Sequence, residues 1–244
     1  MKKTFVFLYP QTEIFDPLIK SGSYIFYDEW KKSSGSHFKE LFAQANSEKE
    51  KETVRIEARK DLASFFKPIY RRKLNECINL RYRNTGFDIV YVLLDGEPLS
   101  DIIEPHAEDR AIYVGMDATT HRTKMADVTY PYPNQDYILN QLGLTNHLRI
   151  GGFHVWDCVE KLAKRAHERR IDVLVDEDLT DLFVISMKKR EFDPSRYPSI
   201  NPRLEGEEYF ENYMGCRRGV PWLWQDYAPI ACWSDSDERR VQER

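Results

Sequence analysis

Residues 148–183 read LRIGGFHVWDCVEKLAKRAHERRIDVLVDEDLTDLF, and this pattern decides the fold. Leu148 and Ile150 run into Gly151-Gly152 as a short apolar strand. Val159, Leu162, Ala163 and Ala166 then recur at the i, i+3, i+4, i+7 spacing of an amphipathic helix. Asp172-Val173-Leu174-Val175 forms a second strand. Strand, helix and strand with short joints predict a parallel sheet covered by helices.

Cys158 lies at the turn of that unit. Asp157, followed three residues later by Glu160, has the form of a capping box, so Asp157 is expected to cap the helix and Cys158 to open it. Unpaired N–H groups and the helix dipole favour a thiolate there. The dipole contributes roughly 0.3–1 kcal/mol, less than one pKa unit, and the Asp157 charge opposes it. Cys158 therefore needs a separate base or cation to act as a nucleophile at neutral pH.

Outward from this unit the chain carries further strand signals. Thr4–Tyr9 and Asp88–Leu94 are continuous apolar runs suited to the centre of a parallel sheet, and Ala111–Val114 is a shorter one. Leu62, Phe65, Phe66, Ile69, Tyr70, Leu74, Cys77 and Ile78 keep helical spacing, with Pro68 expected to kink or split the helix and Gly86 to end it. Residues 10–36 read as a loop with polar turns, residues 37–45 as a short helix and residues 137–142 as another. Residues 115–133, with His121 and Lys124, read as a long polar loop. Leu182–Met187 is expected to add one more strand. From Asp193 the prolines at 194, 198 and 202 break regular structure. An aromatic tail follows (Tyr209, Tyr213, Trp222, Trp224, Tyr227, Trp233), read either as cover for a sheet edge or subunit face or as a ligand box.

The 244 residues are 41% hydrophobic and 31% charged, enough for one α/β domain with a full core. A net charge of −4 gives no global basic field, so no nucleic-acid partner is expected. Cys77, Cys158, Cys216 and Cys232 form no CxxC pair, which excludes the common structural zinc motifs. Met1–Leu8 imitates a signal peptide but lacks a small-residue cleavage site and reads as the first strand. No run reaches membrane-spanning length, so no membrane partner is expected and the reducing cytoplasm is the default location. His106-Ala107-Glu108 echoes the zinc-deaminase motif, but the Pro-Cys-x-x-Cys it requires is missing.

The segment Gly152-Phe153-His154-Val155-Trp156-Asp157-Cys158-Val159 resembles the strand-to-helix turn of the isochorismatase-like cysteine hydrolases, which include nicotinamidases and N-carbamoyl amidases. In that superfamily a glycine ends a strand and a Cys-Val pair opens the next helix. Alanines on the helix, a strand and an acidic residue follow. Tyr9-Pro10-Gln11-Thr12-Glu13-Ile14-Phe15 lies where the family carries its first-strand motif, and Asp95-Gly96-Glu97-Pro98 is similar to its Asp-aromatic-His-Pro turn. The resemblance implies a three-layer α/β/α domain with a mostly parallel sheet over residues 1–190. A C-terminal extension, 191–244, then packs on the domain or on a partner subunit.

The family triad is Asp, Lys and Cys. The aspartate position here is Tyr9 and the lysine position is Val114 or Gly115, so Cys158 alone is kept. His154, four residues before the thiol, is the candidate base, with packing as its structural alternative. Tyr9, Trp156 and Glu13 are candidate contacts to a small-molecule ligand. Asp95 and Glu97 occupy two positions of the family's metal site, which as carboxylates suit a hard divalent cation; the alternative is an acidic turn at a strand end. Two functions follow: a cysteine-dependent hydrolase of a small amide or related C–N bond, or a non-catalytic binding or assembly protein on the same scaffold. The resemblance also implies a homo-oligomer.

Overall fold

The computed structural model describes residues 2–115, 117–122, 129–196 and 222–224. In chain order, β1 (Lys3–Leu8) is followed by α1 (Thr12–Gly22), α2 (Tyr27–Ser33), α3 (Gly35–Gln44) and α4 (Glu48–Cys77). Next come β2 (Asp88–Leu94), β3 (Arg110–Val114), β4 (Asp117–Arg122), β5 (Thr129–Tyr132) and α5 (Gln135–Leu142). The chain continues through β6 (His147–Gly152), α6 (Glu160–Glu168), β7 (Asp172–Val175) and α7 (Phe183–Ser186).

Five strands form one sheet in the order β3-β2-β1-β6-β7, and every pairing is parallel. β1 is central, and its residues Phe5, Val6, Phe7 and Leu8 are at most 1% exposed. Alternation along the strands splits the core into two chemically different layers. Val6, Leu8, Val90, Val92, Leu148 and Ile150 meet α5 and α6 in an aliphatic layer. Phe5, Phe7, Tyr91, Phe15, Phe66 and Tyr70 form an aromatic layer with α1 and α4. There Phe5 stacks on Tyr82 at 3.9 Å, and Phe153 meets Phe7 and Phe15 edge-on at 5.6 and 5.1 Å. Helices on both faces of a parallel sheet make this an α/β domain.

Four expectations are corrected. Residues 10–36 are not a loop but α1, a tight turn (Ser23–Phe26), α2 and the start of α3. Pro17 lies inside α1 and Pro68 inside α4, which runs unbroken to Cys77. A helix-interior proline costs about 3 kcal/mol. Burying a large apolar side chain contributes about 1.5–3 kcal/mol. Phe15 with Ile19, and Phe66 with Tyr70, are buried on either side of these prolines, so packing offsets the backbone cost. Residues 115–133 are not wholly loop, since β4 and β5 pair antiparallel. Leu182–Met187 is not a strand; its apolar run forms α7, with Phe183 and Val184 buried in the aromatic layer.

The end of the helical stretch after α4 is tied down by charge. Arg81 is buried in the turn Ile78–Tyr82, and Asp176 and Asp178, both 0% exposed, follow β7. Arg81 makes a bidentate pair with Asp176 at 2.9 and 3.1 Å and meets Asp178 at 2.9 Å. The Tyr82 hydroxyl donates to Asp176 at 2.5 Å and Ser186 Oγ to Asp178 at 2.7 Å. Burial nevertheless raises the Asp176 carboxyl above its ordinary range, against the pull of Arg81.

Of the C-terminal stretch, residues 222–224 form a single turn. Leu223 is 1% exposed in the aliphatic layer, and its N–H donates to Glu160 at 3.2 Å. Lys164 lies over the Trp222 ring at 5.3 Å. Lys124, Tyr209, Tyr213, Tyr227 and Trp233 lie outside the described residues. No helix among the described residues is long and apolar enough to cross a membrane.

Candidate functional site

The order of the parallel strands reverses between β1 and β6. From β1 the chain turns to α1 on the aromatic face, and from β6 it turns to α6 on the aliphatic face. Divergence of that kind opens a crevice beyond the carboxyl ends of the two strands, where α/β sheets hold their ligands. Tyr9 leaves β1 at this point, and Phe153, His154 and Cys158 follow β6.

Gly152 makes the close approach possible. It pairs with Leu8 at the strand tips and has φ +106°. A Cβ there would stand 2.3 Å from both the Leu8 nitrogen and oxygen, so no other residue fits. The Phe153 N–H then donates to the Leu8 carbonyl at 3.1 Å, and the Phe153–His154 peptide is cis.

The helix opens three residues earlier than the capping box predicts. His154 is extended, and Val155–Val159 already forms a wide helical turn. Val155 and Trp156 are 0% and 2% exposed, and their burial pulls the turn inward. Asp157 is thus inside the turn, and its carboxylate pairs with Lys161 at 2.7 Å instead of capping. The capping role passes to Asp181, just before α7, whose Oδ2 accepts the Val155 N–H at 2.7 Å.

The same carboxylate accepts a hydrogen bond from His154 Nδ1 at 2.7 Å through Oδ1. The Asp181 side chain is fully buried, whereas that of His154 is 53% exposed. A buried carboxylate therefore holds one ring nitrogen of a solvent-facing imidazole. With Nδ1 donating to the carboxylate, a neutral ring carries its lone pair on Nε2. Sequence reasoning singled out His154 but missed Asp181. No fixed spacing links positions so far apart, and the only available signal was four carboxylates crowded behind a buried strand.

Cys158 sits on the turn, partly buried against the aliphatic layer. Burial pushes its thiol up to about 12, and the Asp157 charge adds to this. Lys161 and the His154 backbone pull the other way without reversing it. The free thiol is the resting state at neutral pH. The N–H groups of the turn are partly engaged: Val155 donates to Asp181 and Asp157 to the His154 carbonyl.

Tyr9 joins the same aliphatic layer as Trp156 and is 6% exposed. Its φ of +57° is unusual for a bulky residue and costs about 1–3 kcal/mol. Its N–H donates to the Val92 carbonyl at 2.8 Å, which ties the tip of β1 to β2. Gln11 is 2% exposed, and its Oε1 meets no hydrogen-bond donor among the described residues.

The acidic positions divide. Glu13, exposed on α1, faces Glu97, and their mutual repulsion raises the Glu97 carboxyl. Asp95 lies instead against the tip of β3, where a Cβ on Gly115 would stand 3.2 Å from its Oδ2. Val114, one of the two positions set against the lysine, is 1% exposed. Among the described residues no group of three or more His, Cys, Asp or Glu side chains is arranged to hold a metal ion. The structure thus gathers Tyr9, Trp156 and Cys158 in one layer, His154 on Asp181, and Glu13 with Glu97.

Fold and site define an α/β domain of parallel strands with a cysteine and a carboxylate-held histidine at the switch point. No protein-family model matches the chain, and no curated protein does. Among solved structures it is similar to the N-carbamoylsarcosine amidase of Thermoplasma acidophilum, with 17% identity over 88% of this chain and 94% of that one, at a TM-score of 0.36. A likeness of that size sets neither family nor substrate.

Proposed function

We propose that the chain is a hydrolase-like protein acting on a small amide or related C–N bond, with Cys158 as nucleophile and His154 as its base. One observation carries this reading: the buried Asp181 carboxylate that holds both His154 Nδ1 and the Val155 N–H at 2.7 Å. A thiol that rests protonated needs a base at the moment of attack. In this reading Nε2 takes the thiol proton as sulfur bonds to the carbonyl carbon. The proton passes to the departing nitrogen, and water then cleaves the thioester. Tyr9 and Trp156 wall the acyl group, and Glu13 lies at the mouth. The family's Asp and Lys are replaced in role by the His154–Asp181 pair. A metal held by Asp95 and Glu97 has no part in these steps.

A second reading keeps the fold without the chemistry: a binding or assembly protein. The thiol pushed up to about 12 and the engaged Val155 N–H favour it. The two are separated by hydrolysis of a panel of small amides and N-carbamoyl compounds by the intact chain and by Cys158→Ala and His154→Ala. Activity abolished by Cys158→Ala and reduced about 10²–10⁴-fold by His154→Ala supports the hydrolase. Activity that survives Cys158→Ala overturns the thiol mechanism, and none in the intact chain leaves the non-catalytic reading.

A further inference from the structure

Away from the sheet, the helices between β1 and β2 form a surface that the site does not use. From Lys31 to Asp61 no residue is buried, and α3 contributes none to either core layer. Such a segment gives the domain little stability, yet it is built of regular helices and holds large apolar side chains at its surface. Tyr24 is 53% exposed, Tyr27 43%, Phe42 37% and Ile56 43%. Exposed aromatic groups gathered on one face mark an interaction site more often than chance decoration.

These helices enclose a groove of about 410 Å³ between the α2–α3 pair and the first half of α4. Phe38 and Phe42 lie on one wall. Lys31, Lys39, Arg55 and Arg59 line it, and no carboxylate does. That imbalance stands out in a chain with 40 acidic residues and a net charge of −4. Arg55 lies over the Phe42 ring at 5.2 Å and Lys31 over Tyr27 at 6.0 Å, so cations and rings form one continuous lining. Arg59 also lines a second hollow of about 340 Å³ toward α1, with Lys20, Lys60 and Lys67 against one acid, Asp16.

The outer flanks of the same helices are different. Asp28, Glu29, Glu40 and Glu57 are exposed and absent from the lining, and Glu52 pairs with Arg55 at the rim at 3.1 Å. A phosphate backbone or a flat anionic bilayer would meet these carboxylates, whereas a narrow ligand seated within the groove would not. We propose that the α2–α3–α4 groove docks an acidic peptide segment of a partner protein, anchored by an aromatic or aliphatic side chain between Phe38 and Phe42. Apolar anchors in a helical groove, with charges at its rim, are a recurring mode of peptide recognition.

The test is fluorescence anisotropy of the intact chain with a fluorescein-labelled Asp/Glu-rich peptide carrying Trp and Leu four residues apart. Saturable binding is expected, weakened about tenfold or more by Phe42→Ala and by Arg55→Glu with Arg59→Glu. All three positions are exposed, and unchanged thermal unfolding of the variants checks their folding. Cys158→Ala should bind as the parent does, which separates this surface from the thiol site. Four outcomes overturn the proposal: no saturable binding, equal binding of the peptide with Ala at both anchors, a preference for a single-stranded oligonucleotide or anionic vesicles, or self-association lost in the same variants.

Discussion

Two carboxylate centres lie within six residues of each other after β7, and they are built to opposite rules. At the first, Asp176 and Asp178 surround Arg81, whose guanidinium also donates to the Pro194 and Asp193 carbonyls at 2.9 and 3.2 Å. Every donor is used and nothing faces solvent. At the second, Asp181 is equally buried, but its partner His154 is half exposed. A closed centre can only hold the structure together. An open one presents a half-exposed imidazole at the sheet's switch point. Burial of a charge by itself does not identify function; the exposure of its partner does.

The sharpest way to break the contrast is Arg81→Ala. It leaves two buried carboxylates facing each other and should cost about 3–5 kcal/mol in denaturant unfolding. A loss below 1 kcal/mol would show that the closed centre is not what anchors β7 to the turn after α4. Asp181→Ala comes next, at about 1–3 kcal/mol, because the buried Val155 N–H loses its acceptor. Asp181→Asn keeps an acceptor oxygen and should recover most of that stability. It should not recover the function of His154, read as amide hydrolysis or as ligand affinity. Equal recovery of both would make the open centre structural as well.

The thiols give a smaller, pH-dependent effect. Burial pushes both Cys77 and Cys158 from 9.0 to about 12. An unfolded thiol ionises above about 9 while the folded one keeps its proton, so the unfolded state binds fewer protons there. Stability is therefore full below pH 9 and falls as pH rises toward 12, by about 1 kcal/mol per thiol at pH 10. Urea melts of Cys158→Ala should show a shallower decline than the parent, and Cys158 should alkylate more slowly than a free cysteine at neutral pH. A rate above that of free cysteine would mean that His154 already activates the sulfur. The smallest effect expected is that of Lys161→Ala, about 0.3–0.5 kcal/mol for a partly exposed i,i+4 pair with Asp157. A larger loss would mean that Asp157 orders the turn beneath Cys158.

Much of this was legible in the chain. Continuous apolar runs at Thr4–Tyr9 and Asp88–Leu94 marked strands buried on both faces, because a central parallel strand has no solvated side. Cys77 fell on an apolar helical face and is fully buried. Gly151-Gly152 before Cys158 located the strand-to-helix turn. The helices over residues 12–33 were hidden by Pro17 and by the polar turn residues around Gly35, since local propensity cannot register that Phe15 and Ile19 meet Phe153 and the sheet. The apolar run at 182–187 was ambiguous, as short buried segments have no period to read.

What the sequence determined alone was the kind of layer each segment could join, because hydrophobic spacing is local and follows the geometry of a single element. Which residues meet was decided only in three dimensions. Asp181 reaches His154, Arg81 reaches Asp176, and four cations come to line one groove, because each pairing depends on how distant segments are brought together by the packing of the two core layers.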